Sequence, residues 1–152
     1  MNDLLGKLIL VDRRLIKLSA ELINKPDDQI ELKTQIHFQL TPQAMRPGDK
    51  PLWPVRASIR CHGTNAVSAT QVKDVYLANC ILQLSYQQVV GPTLSLEQVK
   101  QSHMSLSRQA YPILIDKCQP LIQQLGLMQV RLPMDMLQVA SQSGAGPTDA
   151  LH

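Results

Sequence analysis

Between Ile30 and Leu40 the chain alternates strictly. Ile30, Leu32, Thr34, Ile36, Phe38 and Leu40 fall on one side, and Glu31, Lys33, Gln35, His37 and Gln39 fall on the other. A strand sends successive side chains to opposite faces, so this pattern buries one face only as a β-strand; a helix would scatter the same residues around its circumference. One oily and one wet side is the pattern of an antiparallel sheet with a solvated face. The chain must therefore supply partners for this strand and a layer to cover its apolar side.

Two more segments carry the same signal. Val55, Ala57, Ile59 and Cys61 alternate with Arg56, Ser58 and Arg60, and Gly63-Thr64-Asn65 has the turn chemistry that predicts the end of that strand. From Val75 to Val90, Tyr76, Ala78, Cys80, Leu82 and Leu84 oppose Val75, Leu77, Ile81 and Gln83, which predicts a strand covered on both faces near its start. Gly91-Pro92 ends it. Pro42, Pro47, Gly48, Pro51 and Pro54 predict a long loop that carries the single tryptophan, Trp53. Residues 4 to 22 admit two readings. Leu4, Leu8, Val11, Leu15, Leu18 and Leu22 recur as a helical seam, while Ile16, Leu18, Ala20 and Leu22 alternate with Lys17, Ser19 and Glu21 as a strand. Asn24 to Asp28 is a turn.

The remainder reads as helix. Ser95 and Gln98 form a capping box ahead of Leu96, Val99 and Leu106. Pro112 predicts the first turn of a second helix with Leu114, Cys118, Leu121, Ile122 and Leu125 on its apolar face, ended by Gly126. Pro120 lies within that pattern and predicts a kink or break costing up to ~3 kcal/mol. Leu127 to Pro133 reads as a short extended piece, and the polar run after Ala140 has too little apolar surface to order itself. Strands first and helices last indicate an α+β domain over residues 1–139, with a disordered tail over 140–152.

Composition narrows the function. The 152 residues are 44% hydrophobic and 18% charged with a formal net charge of +3, which suits one globular domain with a mildly basic, dispersed surface. No apolar run is long enough for a membrane helix and no signal peptide is legible, so a cytoplasmic protein is expected. Three cysteines without a CxxC read as reduced core thiols. Cys61 and His62 are adjacent on a strand and point apart, which argues against a nucleophile pair. A zinc site from Cys61, His62, Cys80 and Cys118 would need ligands from several elements at no diagnostic spacing. Asp27-Asp28 fits a solvated turn, and Arg13-Arg14 and Arg46 fit a solvated surface. With no GxSxG, phosphate loop or HExxH, neither an enzyme nor a cofactor is expected. Binding remains: Trp53 as a groove anchor or a loop pin, and Met128, Met134 and Met136 as adaptable contacts or core filler.

Several segments resemble the SecB family of chaperones. LSLEQV opens a helix, AYPILIDKC is similar to the family's stretch leading into its long helix, and LGLMQVRLPMDML resembles its Gly-containing break and Leu-Pro closing motif. VDRRLIKLSAEL resembles the first strand of the family, which tips residues 8 to 22 toward strand. The resemblance spans most of residues 8 to 138. It implies a four-stranded antiparallel sheet followed by C-terminal helices, assembled as a tetramer (a dimer of dimers). It also implies an ATP-independent holdase that grips unfolded polypeptide, an export client or an antitoxin, in apolar grooves. The client-binding residues expected on that basis are Leu15, Leu18, Trp53, Tyr86, Met128, Val130 and Leu132.

This chain departs from the export chaperones in three ways. It is net basic where they present an acidic surface to their motor ATPase. It has a single Phe for their aromatic-lined subsite, and its Trp stands at a different place. The competing readings are an adaptor module docking one folded protein and, third, a nucleic-acid binder, which needs the dispersed cations to converge in space.

Overall fold

In a computed structural model the described residues are 6–27 and 30–134. Four strands come first, β1 (Leu8–Leu22), β2 (Leu32–Pro42), β3 (Leu52–Ala66) and β4 (Val72–Gln88), followed by α1 (Leu96–Gln101) and α2 (His103–Gln124). The sheet is antiparallel with spatial order β1-β4-β3-β2, so β3 and β4 are central while β1 and β2 form its edges. The 23–31 connection carries the chain from one edge to the other. Ile23 donates its N–H to the Val75 carbonyl (2.7 Å), and Asn24 donates through Nδ2 to the Asp74 carbonyl (2.7 Å).

The β2 alternation holds. Ile36, Phe38 and Leu40 are buried between exposed Gln35, His37, Gln39 and Thr41. Their face continues through Val55, Ala57, Ile59 and Cys61 of β3 and Ala78, Cys80, Leu82 and Leu84 of β4, and α2 covers it with Leu106, Ala110, Tyr111, Leu114, Cys118 and Ile122. Phe38 and Tyr111 meet edge to face, ring centres 5.6 Å apart, a favoured arrangement for two quadrupoles. Residues 8–22 resolve to the strand alternative. β1 carries irregularities between Leu10 and Asp12 and between Leu15 and Lys17, and these place Val11 and Ile16 outside the regular register.

Four boundaries differ from expectation, each for a physical reason. β3 does not stop at Gly63-Thr64-Asn65; it continues to Ala66, and the turn is Val67–Gln71, closed by the Val67 N–H to the Gln71 carbonyl (2.8 Å). Trp53 is not in a loop but in β3, paired with Tyr86. Pro54 is tolerated beside it because β2 has already ended there, and Pro54 need only accept, from the Gln43 N–H (2.9 Å). α2 starts at His103, so Pro112 is internal and not in a first turn. Pro120 does not end the helix either. The carbonyls freed by the two prolines are those of Arg108 and Asp116, exposed residues whose backbone water can satisfy.

The capping box at Ser95 is present: Gln98 N–H donates to Ser95 Oγ (3.2 Å) and Ser95 N–H donates to Gln98 Oε1 (2.8 Å). Gly126 takes the left-handed conformation, φ +89°, just past the end of α2. The expected extended piece at 127–133 opens instead with a turn, in which the Val130 N–H donates to the Leu127 carbonyl (3.2 Å). The expected tail at 140–152 lies outside the described residues, as does Met136.

Candidate functional site

One concavity follows from β2 being an edge. A groove of about 1340 Å³ runs along it, lined by Ile30, Leu32, Thr34 and Ile36 on one side and by Val130, Arg131, Leu132 and Pro133 on the other. Every second residue of an edge strand turns its N–H and C=O away from the sheet. The groove thus joins a mixed lining, in which Glu31, Lys33, Gln35, His62 and Gln129 stand beside the apolar side chains, to a row of backbone groups that are unpaired among the described residues.

Both walls are tied down by residues whose role the sequence hid. Gln119, on α2, clamps the far wall: its Nε2 donates to the Val130 carbonyl (2.8 Å) and its Oε1 accepts from the Leu132 N–H (2.7 Å). Tyr111 adds its hydroxyl to the Pro133 carbonyl (2.7 Å). On the near side Asn65 is fully buried and holds the approach to β2. Its Oδ1 accepts from the Asp27 N–H (2.9 Å), and its Nδ2 donates to the carbonyls of Ile30 (3.4 Å) and Glu31 (3.2 Å). Thr34 shares a 2.7 Å hydrogen bond with the Tyr76 hydroxyl, which reaches it from β4 across β3. Asn65 reads as a turn residue in sequence, and Gln119 carries no local signal at all.

The seven residues expected to bind client do not form one surface. Val130 and Leu132 line the groove, each with a small exposed area, and Met128 projects from the adjoining turn, 59% exposed. Leu15 and Leu18 are on β1, at the opposite edge of the sheet; Leu15 is exposed and lines a smaller cavity of about 420 Å³ with Arg13, Leu82, Pro112 and Ile113. Trp53 and Tyr86 are core residues, 2% and 1% exposed. The Tyr86 hydroxyl donates to Gln109 Oε1 (2.7 Å), and burial pushes its pKa up to about 12. The Trp53 indole N–H is buried and has no hydrogen-bond partner among the described residues. As placed here, both rings serve the core, which is the loop-pin alternative for Trp53 moved into a strand.

The residues weighed for chemistry are also separated. Cys61 is buried on the inner face, while His62 is on the outer face, bonded through Nε2 to Asp74 Oδ1 (2.7 Å). Cys61, Cys80 and Cys118 do converge where α2 meets the sheet, all buried, and the neighbouring thiols and burial hold the Cys118 thiol above its ordinary range. His62 is across the sheet from them, and no group of three or more His, Cys, Asp or Glu among the described residues is arranged to hold a metal ion. Among the described residues no helix is long and apolar enough to cross a membrane.

No protein-family profile matches the chain, and no curated protein matches it. Among solved structures it is similar to the Mycobacterium tuberculosis Rv1957 SecB-like chaperone in complex with a ChAD peptide from the Rv1956 HigA1 antitoxin. The TM-score is 0.72 at 20% identity, over 86% of this chain and 91% of that one. The chain has the SecB-like fold: a four-stranded antiparallel sheet followed by two C-terminal helices.

Proposed function

We propose that this chain is an ATP-independent holdase that binds an extended, unfolded polypeptide segment in the groove beside β2, with the client added as a further strand. The observation that carries this reading is the pairing of a strand edge, free among the described residues, with a groove whose partly apolar lining includes Ile30, Leu32, Ile36, Val130 and Leu132. Backbone hydrogen bonds supply affinity that does not depend on client sequence, and alternate client side chains enter the apolar lining. Each square ångström of client apolar surface buried is worth roughly 25 cal/mol, so many weak contacts can replace one specific pocket. The solved neighbour of the same fold holds an antitoxin peptide, which supports a polypeptide client and makes an antitoxin one candidate. Nothing in this mechanism needs catalysis or a cofactor. Three buried free thiols are in keeping with a cytoplasmic setting.

The opposite edge supports self-association. Among the described residues β1 is unpaired on its outer side, and it exposes Ile9, Val11, Leu15, Ile16 and Leu22, an apolar stretch that a lone subunit would leave open to aggregation. A tetramer built as a dimer of dimers would cover it and leave the β2 grooves open. The test is suppression of aggregation of a chemically denatured client without ATP, comparing the wild type with Ile30→Glu/Leu32→Glu. Protection should be lost in the variant while the oligomer measured by light scattering is retained. Undiminished protection would remove the groove. Capture of one folded protein with no generic protection would favour an adaptor.

A further inference from the structure

The strand register gathers cations that look dispersed along the sequence. Arg14 of β1 and Arg56 of β3 both pair with Gln83 of β4, so they share one row on the sheet face turned away from α2. In the next row Lys17 is opposite Ile81, which pairs with Ser58. In the row beyond, Arg60 lies between Asn79 of β4 and His37 of β2. Arg14, Lys17, Arg56, Arg60 and His37 are all exposed. With strands ~4.8 Å apart and a rise of ~3.3 Å per residue, Arg14 and Arg56 are ~10 Å apart and Arg56 and Arg60 ~13 Å.

What separates these cations is neutral: Gln39, Ser58, Asn79 and Gln83, which can hydrogen-bond, and the half-buried Ile81. The carboxylates of this face are at its margins. Asp12 is 3.9 Å from Arg14, Asp74 is bonded to His62, and Glu21 is in the row of His62. Among the described residues no carboxylate pairs with Lys17, Arg56 or Arg60, and the Arg56 Nε donates only to Gln83 Oε1 (3.1 Å). Long basic side chains on a face whose other central residues are uncharged call for an anionic partner. Single-stranded nucleic acid would also need exposed rings for base stacking. All five aromatic side chains of the chain, Phe38, Trp53, Tyr76, Tyr86 and Tyr111, are buried on the other side of the sheet or in α2. Carboxylates suit the site better, because a guanidinium takes a carboxylate through two parallel hydrogen bonds.

We infer that the solvent face of the sheet is a docking surface for an acidic polypeptide segment, gripped by Arg14, Lys17, Arg56 and Arg60 and separate from the groove at β2. The probe is a fluorescein-labelled oligoglutamate peptide followed by fluorescence anisotropy, with oligolysine and a single-stranded oligonucleotide as comparisons. Saturable binding of oligoglutamate is expected at low salt, weakening as salt screens the charges. Arg56→Gln/Arg60→Gln should weaken it about fivefold or more, as the loss of two exposed ion pairs implies. Lys17→Gln, a single change on exposed edge strand, should weaken it in the same direction, and Lys100→Gln on α1 should leave it unchanged. Protection of an unfolded client should survive in these variants, which separates this surface from the groove. No saturable oligoglutamate binding, equal affinity in the variants, or tighter oligonucleotide binding through the same residues would each overturn the proposal.

Discussion

The ring of Tyr76 lies directly over the α-carbon of Gly63 on the neighbouring strand, in the space that a β-carbon would need. The two residues pair across β3 and β4, and Thr34 of β2 pairs with Gly63 on its other side. The absent side chain is what lets the phenol cross a whole strand and bond to Thr34 (2.7 Å) at the groove. Gly63 thus sits inside a strand because a large ring covers it.

Gly63→Ala should therefore destabilise the domain by about 2–3 kcal/mol, the usual cost of forcing a methyl into a packed site with one hydrogen bond lost. Gly48→Ala is the control: the nearest atom to its β-carbon would be 3.8 Å away, and urea denaturation should find it near wild type. Equal midpoints for the two variants would contradict the packing of Tyr76 over Gly63.

Trp53→Ala tests whether the indole belongs to the core or to the client surface. Buried in β3 opposite Tyr86, the ring should cost ~3–5 kcal/mol when removed. Thermal melting should show a large fall. Any loss of client protection should follow the fraction unfolded and disappear at temperatures where the variant remains folded. Loss of protection without loss of stability would return Trp53 to the binding surface.

The β2 alternation and the capping box at Ser95 were legible because they are local: their meaning depends only on residues a few positions away. Gly63 and Asn65 were not. Gly-Thr-Asn is turn chemistry by every local rule, and only Tyr76 over the glycine and the backbone of Asp27, Ile30 and Glu31 around Asn65 make the segment a strand. Pro112 and Pro120 misled in the opposite direction, since a local cost was met by exposing the freed carbonyls on the wet side of α2. The groove itself was half visible. Val130 and Leu132 were picked out, but their opposing wall, Ile30 to Ile36, is far away in sequence and is placed by topology. The basic face could not be seen at all without the register.

Gln119 gives a test of the groove wall. Its amide meets both a carbonyl and an N–H of the 130–132 segment, as a neighbouring strand would. Gln119→Leu keeps the volume, removes both bonds, and should cost about 1–3 kcal/mol. Hydrogen exchange at the Leu132 amide should speed up before any change in the central strands, and client affinity should fall with it. Unchanged protection at Leu132 would mean the wall is held by packing alone.

The buried thiols and phenols set the response to alkali. Hydrogen bonding to Cys61 and burial push the Cys118 thiol up to about 12, with Cys80 pulling the other way, and hydrogen bonding to Cys118 and burial push Cys80 up as well. Tyr86 is pushed up to about 12 by burial, and Tyr76 is pushed up for the same reason. In each case the folded state holds its proton more tightly than the unfolded chain, whose thiols and phenols titrate near their ordinary values of about 8.5 and 10. Stability contributed this way is complete below those values and is lost as pH rises toward about 12. The urea midpoint should accordingly be flat in pH up to the ordinary thiol range and fall steadily above it, with a shallower fall for Cys118→Ala than for wild type once both are scaled to their neutral-pH midpoints. A thiol reagent should label none of Cys61, Cys80 and Cys118 in the folded protein near neutral pH and all of them in urea, because the reagent cannot reach a buried thiol. Rapid labelling of the native chain would place at least one of these thiols in contact with solvent and break the packing of α2 on the sheet from which the rest of the core is derived.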